Sequence, residues 1–456
     1  LKKTKWMYSV LSVLLVAFVL SACGGNNEKA SPSASSSESA PASSAASPSA
    51  EPSKSKDPVT LTFLIPNTED VTPYNTIFSA FEKQTGNKVE VQALPGGDYD
   101  NMLKTRFSTG DFPDVFLMQP GTKQYVKLRA EETLYEWSGE AGVWDNIIDS
   151  INQFQKDPNG KAYGVPFGKT GQMGVFYNKD VFAKAGVEPP KNYADLIEIA
   201  NKIKAAGITP FYEAVKEGWP TQVFYLTGWV TQVDPAIGEE GVQKLNVNQL
   251  KLSDIPELKD LFVKSKELKD LGFFQKNALS GTFDELQNEF GEGKIAMTFM
   301  LDGILPQLEK KFGKEFVTDK VGFFPFPSAT DTGVAMITPP NQLMVPSKAK
   351  HLEQAKELVK FMISSESVNT FYASQPGIPI YKGATSELYP LQQTVQEYIN
   401  NGKSMVNVQN RLTASFLDLG KILQNFHIKG DVDAALKEMD TNYVKDGNSK
   451  RLQGFE

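Results

Sequence analysis

Cysteine and histidine are scarce: one Cys and two His in 456 residues. A single thiol cannot close an internal disulfide and is too few for a cysteine-built metal site. His351 and His427 lie in unrelated places, each beside a lysine-containing helical segment. Both read as surface side chains and not as catalytic or metal groups. No His-Glu-x-x-His pattern, cysteine cluster or nucleophile elbow occurs. Gly164-Val165-Pro166-Phe167-Gly168-Lys169-Thr170 has three residues between its glycines and a proline among them, so it cannot form a phosphate cradle. Asp157-Pro158-Asn159-Gly160 lacks the alternating oxygens of a calcium loop and reads as a turn. No cofactor and no metal is expected. A glycosidase carboxylate pair leaves little local signature and stays open. Net charge is −7, with no basic stripe, which argues against nucleic-acid binding. Beyond residue 23 no apolar run is long enough to span a bilayer, and there is no internal repeat.

The position of the lone Cys23 explains it. Lys2, Lys3 and Lys5 precede an apolar stretch from Trp6 to Leu20, and small residues lead into the cysteine. This is the layout of a secretory signal, shorter than the ~20 residues of a comfortable membrane span. Leu20-Ser21-Ala22-Cys23 resembles the bacterial lipobox, which implies cleavage before Cys23 and acylation of its thiol and new amine. The alternatives are a short membrane anchor, or an export signal with an incidental cysteine. Cleavage would remove three lysines and take the charge from −7 to −10. Ala30 to Lys56 is nearly all Ser, Ala and Pro with scattered Glu and Lys. Such a segment buries too little apolar surface to offset its ordering entropy. Residues 23–57 thus read as a disordered tether, spanning about 30 Å root-mean-square and about 110 Å at full stretch.

The remaining ~400 residues exceed one core, so two lobes are expected. Thr60 to Ile65 reads as a buried strand. Thr72-Pro73 opens a helix with Thr as its cap, Ile77, Phe78 and Phe81 on its inner face, and Gly86 as its stop. Val89 and Val91 mark a second strand, Asp98 caps a second helix ending at Gly110, and Val115–Met118 is a third strand. The alternation predicts a largely parallel sheet covered by helices. The grammar restarts with a strand at 174–177 and a helix capped by Asn192, with Leu196, Ile199, Ala200 and Ile203 on one face. Further strands are predicted at 295–299 and 343–345, and helical spacing from Leu352 to Tyr372. Ligands collect beyond the carboxyl ends of such strands, which directs attention to residues 66–70, 119–122, 166–172 and 300–303. Gly218-Trp219-Pro220 sets a tryptophan in a constrained loop. Trp219 is a candidate stacking platform for the C–H face of a sugar, or else a plug for its loop. Trp137, Trp144 and Trp229 read as core.

Phe81 to Val89, Gly110 to Val115, Gly160 to Pro166, Phe176 to Lys179, Gly293 to Met297 and Val321 to Pro325, taken in order, resemble segments of the extracellular solute-binding proteins that serve sugar ABC transporters, the maltose-binding-protein-like family. Phe81-Glu82-Lys83-Gln84-Thr85-Gly86-Asn87-Lys88-Val89 is similar to the family's F-E-K-x-T-G-x-x-V, and Gly110 to Val115 to G-x-x-P-D-V. Gly160 to Pro166 and Phe176-Tyr177-Asn178-Lys179 resemble the stretch where the chain first crosses between lobes. Gly293 to Met297 and Val321 to Pro325 are similar to G-K-x-A-M and V-G-x-x-P. The set keeps its order from about residue 58 to 440.

The resemblance implies an α/β, periplasmic-binding-protein-like fold, with two lobes joined by a hinge of three crossovers. The first lobe would be 58–167 plus 340–385, the second 168–339 plus 386–456, behind a signal at 1–22. It implies ligand contacts at Thr68, Glu69, Asp98, Gln119, Lys169, Thr170, Trp219, Asp302 and Phe416. Tryptophans that maltose-type proteins carry near Met118 and Gly303, and an aromatic near Lys216, are absent. The expected ligand is therefore an oligosaccharide with fewer flat faces than a maltodextrin, or a more polar one; a uronate-containing sugar or a polyol is the runner-up. The expected protein is a non-catalytic monomer, lipid-anchored at Cys23 on the outer face of the cell membrane, delivering its sugar to ABC permease subunits. The rivals are a secreted polysaccharide-degrading enzyme and a sugar-sensing lipoprotein for a membrane kinase.

Overall fold

The computed structural model describes residues 57–456 apart from Gly97, Gln153, Phe154 and Pro158. Cys23, its apolar signal and the tether up to residue 56 lie outside the described residues, so the anchoring expectation rests on the sequence alone. Among the described residues no helix is long and apolar enough to cross a membrane.

The first sheet begins with β1 (Thr60–Pro66), β2 (Lys88–Leu94) and β3 (Val115–Met118). These run parallel, with Phe63 opposite both Val91 and Val115. Their connections are α1 (Thr72–Thr85) and α2 (Tyr99–Thr109). Along β1, Leu61, Phe63 and Ile65 join Ile77, Phe78 and Phe81 of α1 in one core cluster. Leu64, on the other face, joins Leu103 of α2 in another. Cover on both faces is why β1 reads as an almost unbroken apolar run.

Local chemistry sets the helix ends. Thr72 is not the cap of α1: it already lies in the helix, Val71 holds the cap position, and the Thr72 N–H donates to the Asp70 carboxylate at 2.9 Å. Gly86 ends α1 at φ +83°, a left-handed conformation that glycine adopts without a Cβ penalty. Asn87, fully buried, accepts the Val59 N–H. Asp114 accepts from the Thr62 N–H and hydroxyl and from the His351 N–H, tying β1 to the start of a distant helix. The F-E-K-x-T-G and P-D-V segments are thus structural clamps.

The later strands are β4 (Gly164–Pro166), β5 (Lys169–Asn178), β6 (Thr209–Phe211), β7 (Ile295–Leu301), β8 (Val321–Phe324), β9 (Ala335–Thr338), β10 (Gln342–Met344), β11 (Ile378–Pro379) and β12 (Ser404–Val406). The first sheet is ordered β2-β1-β3-β10-β4 and the second β12-β9-β5-β7-β6, with β8 and β11 also pairing β5. The expected parallel character holds for β1–β3 and, in the second sheet, for β6 with β7 and β9 with β12. β10 is antiparallel to β3 and β4, and β5 is antiparallel to β7, β8 and β9. The chain enters the second sheet by running straight on from β4, so β5 points against its neighbours. Directions of this kind follow from connectivity, which periodicity does not encode.

The chain passes between sheets at Phe167–Gly168 and returns at residues 339–341. It passes again after the Ser365–Ser374 helix, which packs on α1, into β11, which pairs with β5. Two buried tyrosines strap these passages. The Tyr372 hydroxyl donates to the Gly168 carbonyl at 2.7 Å and accepts the Ile380 N–H, while Tyr381 donates to the Pro166 carbonyl. The architecture is two α/β lobes joined by crossovers. Two further expectations need correction. The predicted helix from Leu352 to Tyr372 is two, Leu352–Met362 and Ser365–Ser374, because the Ser364 hydroxyl accepts the Ser367 N–H and restarts the turn. His427 is not a surface side chain: it is 12 % exposed, and its Nδ1 lies 2.9 Å from a Glu213 carboxylate oxygen.

Candidate functional site

Three loops converge where the chain first passes between the sheets. The turn after β1 is held by the Glu69 N–H on the Pro66 carbonyl and by the Asn67 side chain, which accepts the Gly96 N–H. That turn leaves Thr68 exposed and Glu69 half-buried. Glu69 accepts from the Asn341 amide at 3.0 Å, within the return passage. Lys169 opens β5, and its ammonium donates to the Pro376 carbonyl at 2.9 Å. Asp302 follows β7, with its N–H on the Gln172 carbonyl.

The electrostatics couple the three. Burial lowers the Lys169 pKa, opposed by the negative charges of Asp302 and Glu69. Burial pushes the Asp302 carboxyl up to about 6, against the pull of Lys169 and of backbone N–H groups. Asp302 sits directly on bare backbone. A Cβ on Gly171 would lie 2.8 and 2.9 Å from its two carboxylate oxygens and 2.7 Å from the Thr338 hydroxyl. A cavity of about 630 Å³ adjoins the cluster, lined by Lys169, Asp302, Glu309, Lys314, Pro376 and Tyr389. That volume falls within the range of small-ligand sites.

The other predicted residues are placed as follows. Thr170 is buried, and its hydroxyl donates to the Thr338 carbonyl at 2.6 Å while Thr338 Oγ1 accepts the Gly171 N–H. Its hydrogen-bonding capacity is thus used inside the crossover. Asp98 is exposed at the start of α2, and its side chain does not cap the helix. Gln119 is exposed just before Pro120-Gly121, where the Pro120 carbonyl accepts from the Asn410 amide at 3.2 Å. Gly121, at φ +123°, lets that segment approach closely: a Cβ there would be 3.3 Å from the Asn410 carbonyl.

Trp219 is 37 % exposed and meets Phe283 edge-on, with ring centroids 5.2 Å apart. Gly218, at φ +73°, abuts the backbone of Gly420. Phe416 is half-buried, 6.0 Å from Trp229 and 5.7 Å from Tyr443. Glu69, Lys169 and Asp302 are brought together. Among the described residues no side-chain hydrogen bond joins Asp98, Gln119 or Trp219 to them. Asn341, Pro376 and Tyr389 were missed by sequence reasoning. The rigid Pro339-Pro340 pair before Asn341 was the one available signal, because it marks a fixed extended passage.

Residues 66–369 match the family model described as bacterial extracellular solute-binding protein. A multiple sugar-binding protein of Streptococcus mutans serotype c is 26 % identical over 373 residues, covering 80 % of this chain and 87 % of that protein. Among solved structures, the apo form of RafE from Streptococcus pneumoniae is similar with a TM-score of 0.70 at 20 % identity, covering 88 % of this chain and 100 % of RafE. The sugar transporter BL01359 of Bacillus licheniformis, in complex with stachyose, has a TM-score of 0.60 at 21 % identity, covering 86 % and 100 %. The sheet order, the passages between lobes and the match over 66–369 lead to one assignment: the chain belongs to the bacterial extracellular solute-binding protein family.

Proposed function

We propose that this protein captures an oligosaccharide in the cleft between its lobes and delivers it to an ABC importer. The observation that carries this reading is the meeting of Glu69, Lys169 and Asp302 from three loops at the crossover. A carbohydrate edge presents donors and acceptors together. An ammonium offers donors only and a carboxylate, when ionised, acceptors only, so the trio can hold hydroxyls in both senses. The exposed ring of Trp219 supplies a face for stacking. Thr68, Asp98, Gln119 and Phe416 complete the proposed contact set, with Thr170 acting as a brace of the hinge. The S. mutans relative is named as a sugar-binding protein, and stachyose occupies the B. licheniformis structure.

We take the first lobe as 58–167 plus 340–385 and the second as 168–339 plus 386–456. The pairing of β11 with β5 draws the third passage toward Pro376. The protein acts as a monomer, held to the outer face of the membrane by acyl chains on Cys23. Two chains are needed for firm binding, since one gives marginal attachment. Cys23→Ala should release the protein to the medium or leave it uncut. Normal processing and membrane retention of the variant would remove the lipoprotein reading.

A thermal-shift screen against oligosaccharides tests the binding function. A ligand at 100 times its dissociation constant adds about 2.7 kcal/mol of stability. The rival reading, a glycan-cleaving enzyme, draws on Asp302, whose raised pKa suits a general acid. New reducing ends after incubation with glycans would favour the enzyme; their absence alongside a thermal shift favours capture.

A further inference from the structure

A second cavity, of about 650 Å³, opens from Gln119 and lies between the lobes. One wall is α2 and α3 (Thr122–Leu128); the other is Ser415 and the Val432–Ser449 helix with the residues that follow it. Four lysines line it (Lys104, Lys123, Lys127 and Lys450), against two aspartates, Asp100 and Asp446. Both aspartates are already paired. Lys127 bonds Asp100 at 2.5 Å, and Lys450 bonds Asp446 at 2.5 Å. Asp446 also accepts the Ser415 N–H at 2.6 Å. The local balance is therefore cationic in a chain of net charge −7.

We infer that this cavity is a subsite for a negatively charged group on the captured glycan, a uronate carboxylate or a sulfate ester, received by Lys123 and Lys104 across from Lys450. The inference rests on the sugar-capture reading and names its substrate class. Lys123 is half-buried and makes no hydrogen bond or ion pair among the described residues. Burial, with Lys450 and Lys127 nearby, disfavours its charge. An arriving anion would relieve that cost, and charge-assisted bonds are the stronger kind. Beside Lys123, Gln124 is buried with its Oε1 lacking a donor among the described residues. The Lys450 ammonium already donates to Asp446, Ser415 and Thr413, so it bounds the cavity on the far side while Lys123 and Lys104 receive the anion.

The test is titration calorimetry on the full chain with paired glycans: trigalacturonate and its methyl ester, a sulfated chondroitin disaccharide and its unsulfated form, and neutral raffinose and stachyose. An acidic glycan should bind more tightly than its neutral partner, and added salt should narrow the gap. Uronate and sulfate pairs distinguish the two anion sources. Lys123→Gln and Lys104→Gln should each weaken the acidic glycan about tenfold and leave neutral glycans within about twofold. Lys104 is exposed, so its substitution reports even if Lys123→Gln folds poorly. Neutral binding with no preference for the acidic partner overturns the subsite alone, as does acidic binding indifferent to both substitutions. No binding of any glycan overturns the sugar reading and this inference together.

Discussion

Asp302 is the residue of the candidate site whose carboxyl is pushed well away from its ordinary range. Its carboxyl titrates near 6 in the folded protein and at 3.8 in an unperturbed chain, and burial is the main cause. The folded state therefore binds the proton more tightly, and stability falls as pH rises from about 4 through about 6. The loss is up to about 3 kcal/mol. Asp302→Asn should melt with the wild type below pH 4 and later than it at pH 8. The same variant should bind sugar less well, since it gives up an ionised acceptor. A melt series across pH, with titration of ligand at neutral pH, checks both; an unchanged pH profile would reassign the buried proton elsewhere.

Trp219 poses the opposite case, a large ring left 37 % exposed in a loop fixed by Gly218 and Pro220. Losing a central aromatic anchor costs about 2 kcal/mol or more, roughly thirtyfold in affinity. Trp219→Ala should weaken sugar binding by that order with little change in the apo melting midpoint. A buried plug would behave in reverse, with intact affinity and a much earlier melt.

At the scale of elements, the crossover is the informative structure. β5 carries Lys169 and Thr170 at its start, and Thr338 at the end of β9 binds that start through both its carbonyl and its hydroxyl. Gly171 permits the close packing of Thr338 and Asp302 upon it. Gly171→Ala forces at least one of those side chains to move, at about 1–3 kcal/mol. It should lower the melting midpoint and weaken ligand binding together. A variant that bound normally would show that Asp302 can shift freely, and would detach the crossover from the site.

For the whole molecule, two lobes on strapped passages predict a hinge. Tyr372 and Tyr381 fix the passages to one another through the Gly168 and Pro166 carbonyls. Closure would therefore turn on backbone torsions around these points while the lobes move as units. Ligand should shift the population toward the closed form. Small-angle scattering should give a smaller radius of gyration with saturating sugar. An identical profile with and without ligand would count against a trap.

Much of this protein is determined by local sequence. β1, β2 and β3, the Gly86 and Gly110 helix ends and the buried face of Tyr193–Ala205 follow from apolar period and backbone preference, which act within a few residues. The same reasoning failed at Ser364, where one hydroxyl interrupts a helical spacing that otherwise continues, and at Thr72, where a carboxylate two residues back binds the first N–H. Family-like segments located the loops of the candidate site. Only the tertiary structure decided that Glu69, Lys169 and Asp302 share one field, because they lie 100 and 133 residues apart along the chain. It also decided that Thr170 is occupied by Thr338 and that His427 meets Glu213. The physical reason is common to all of these. A side chain's desolvation and charge partners are set by which distant strands and helices pack beside it, and no local pattern records that choice.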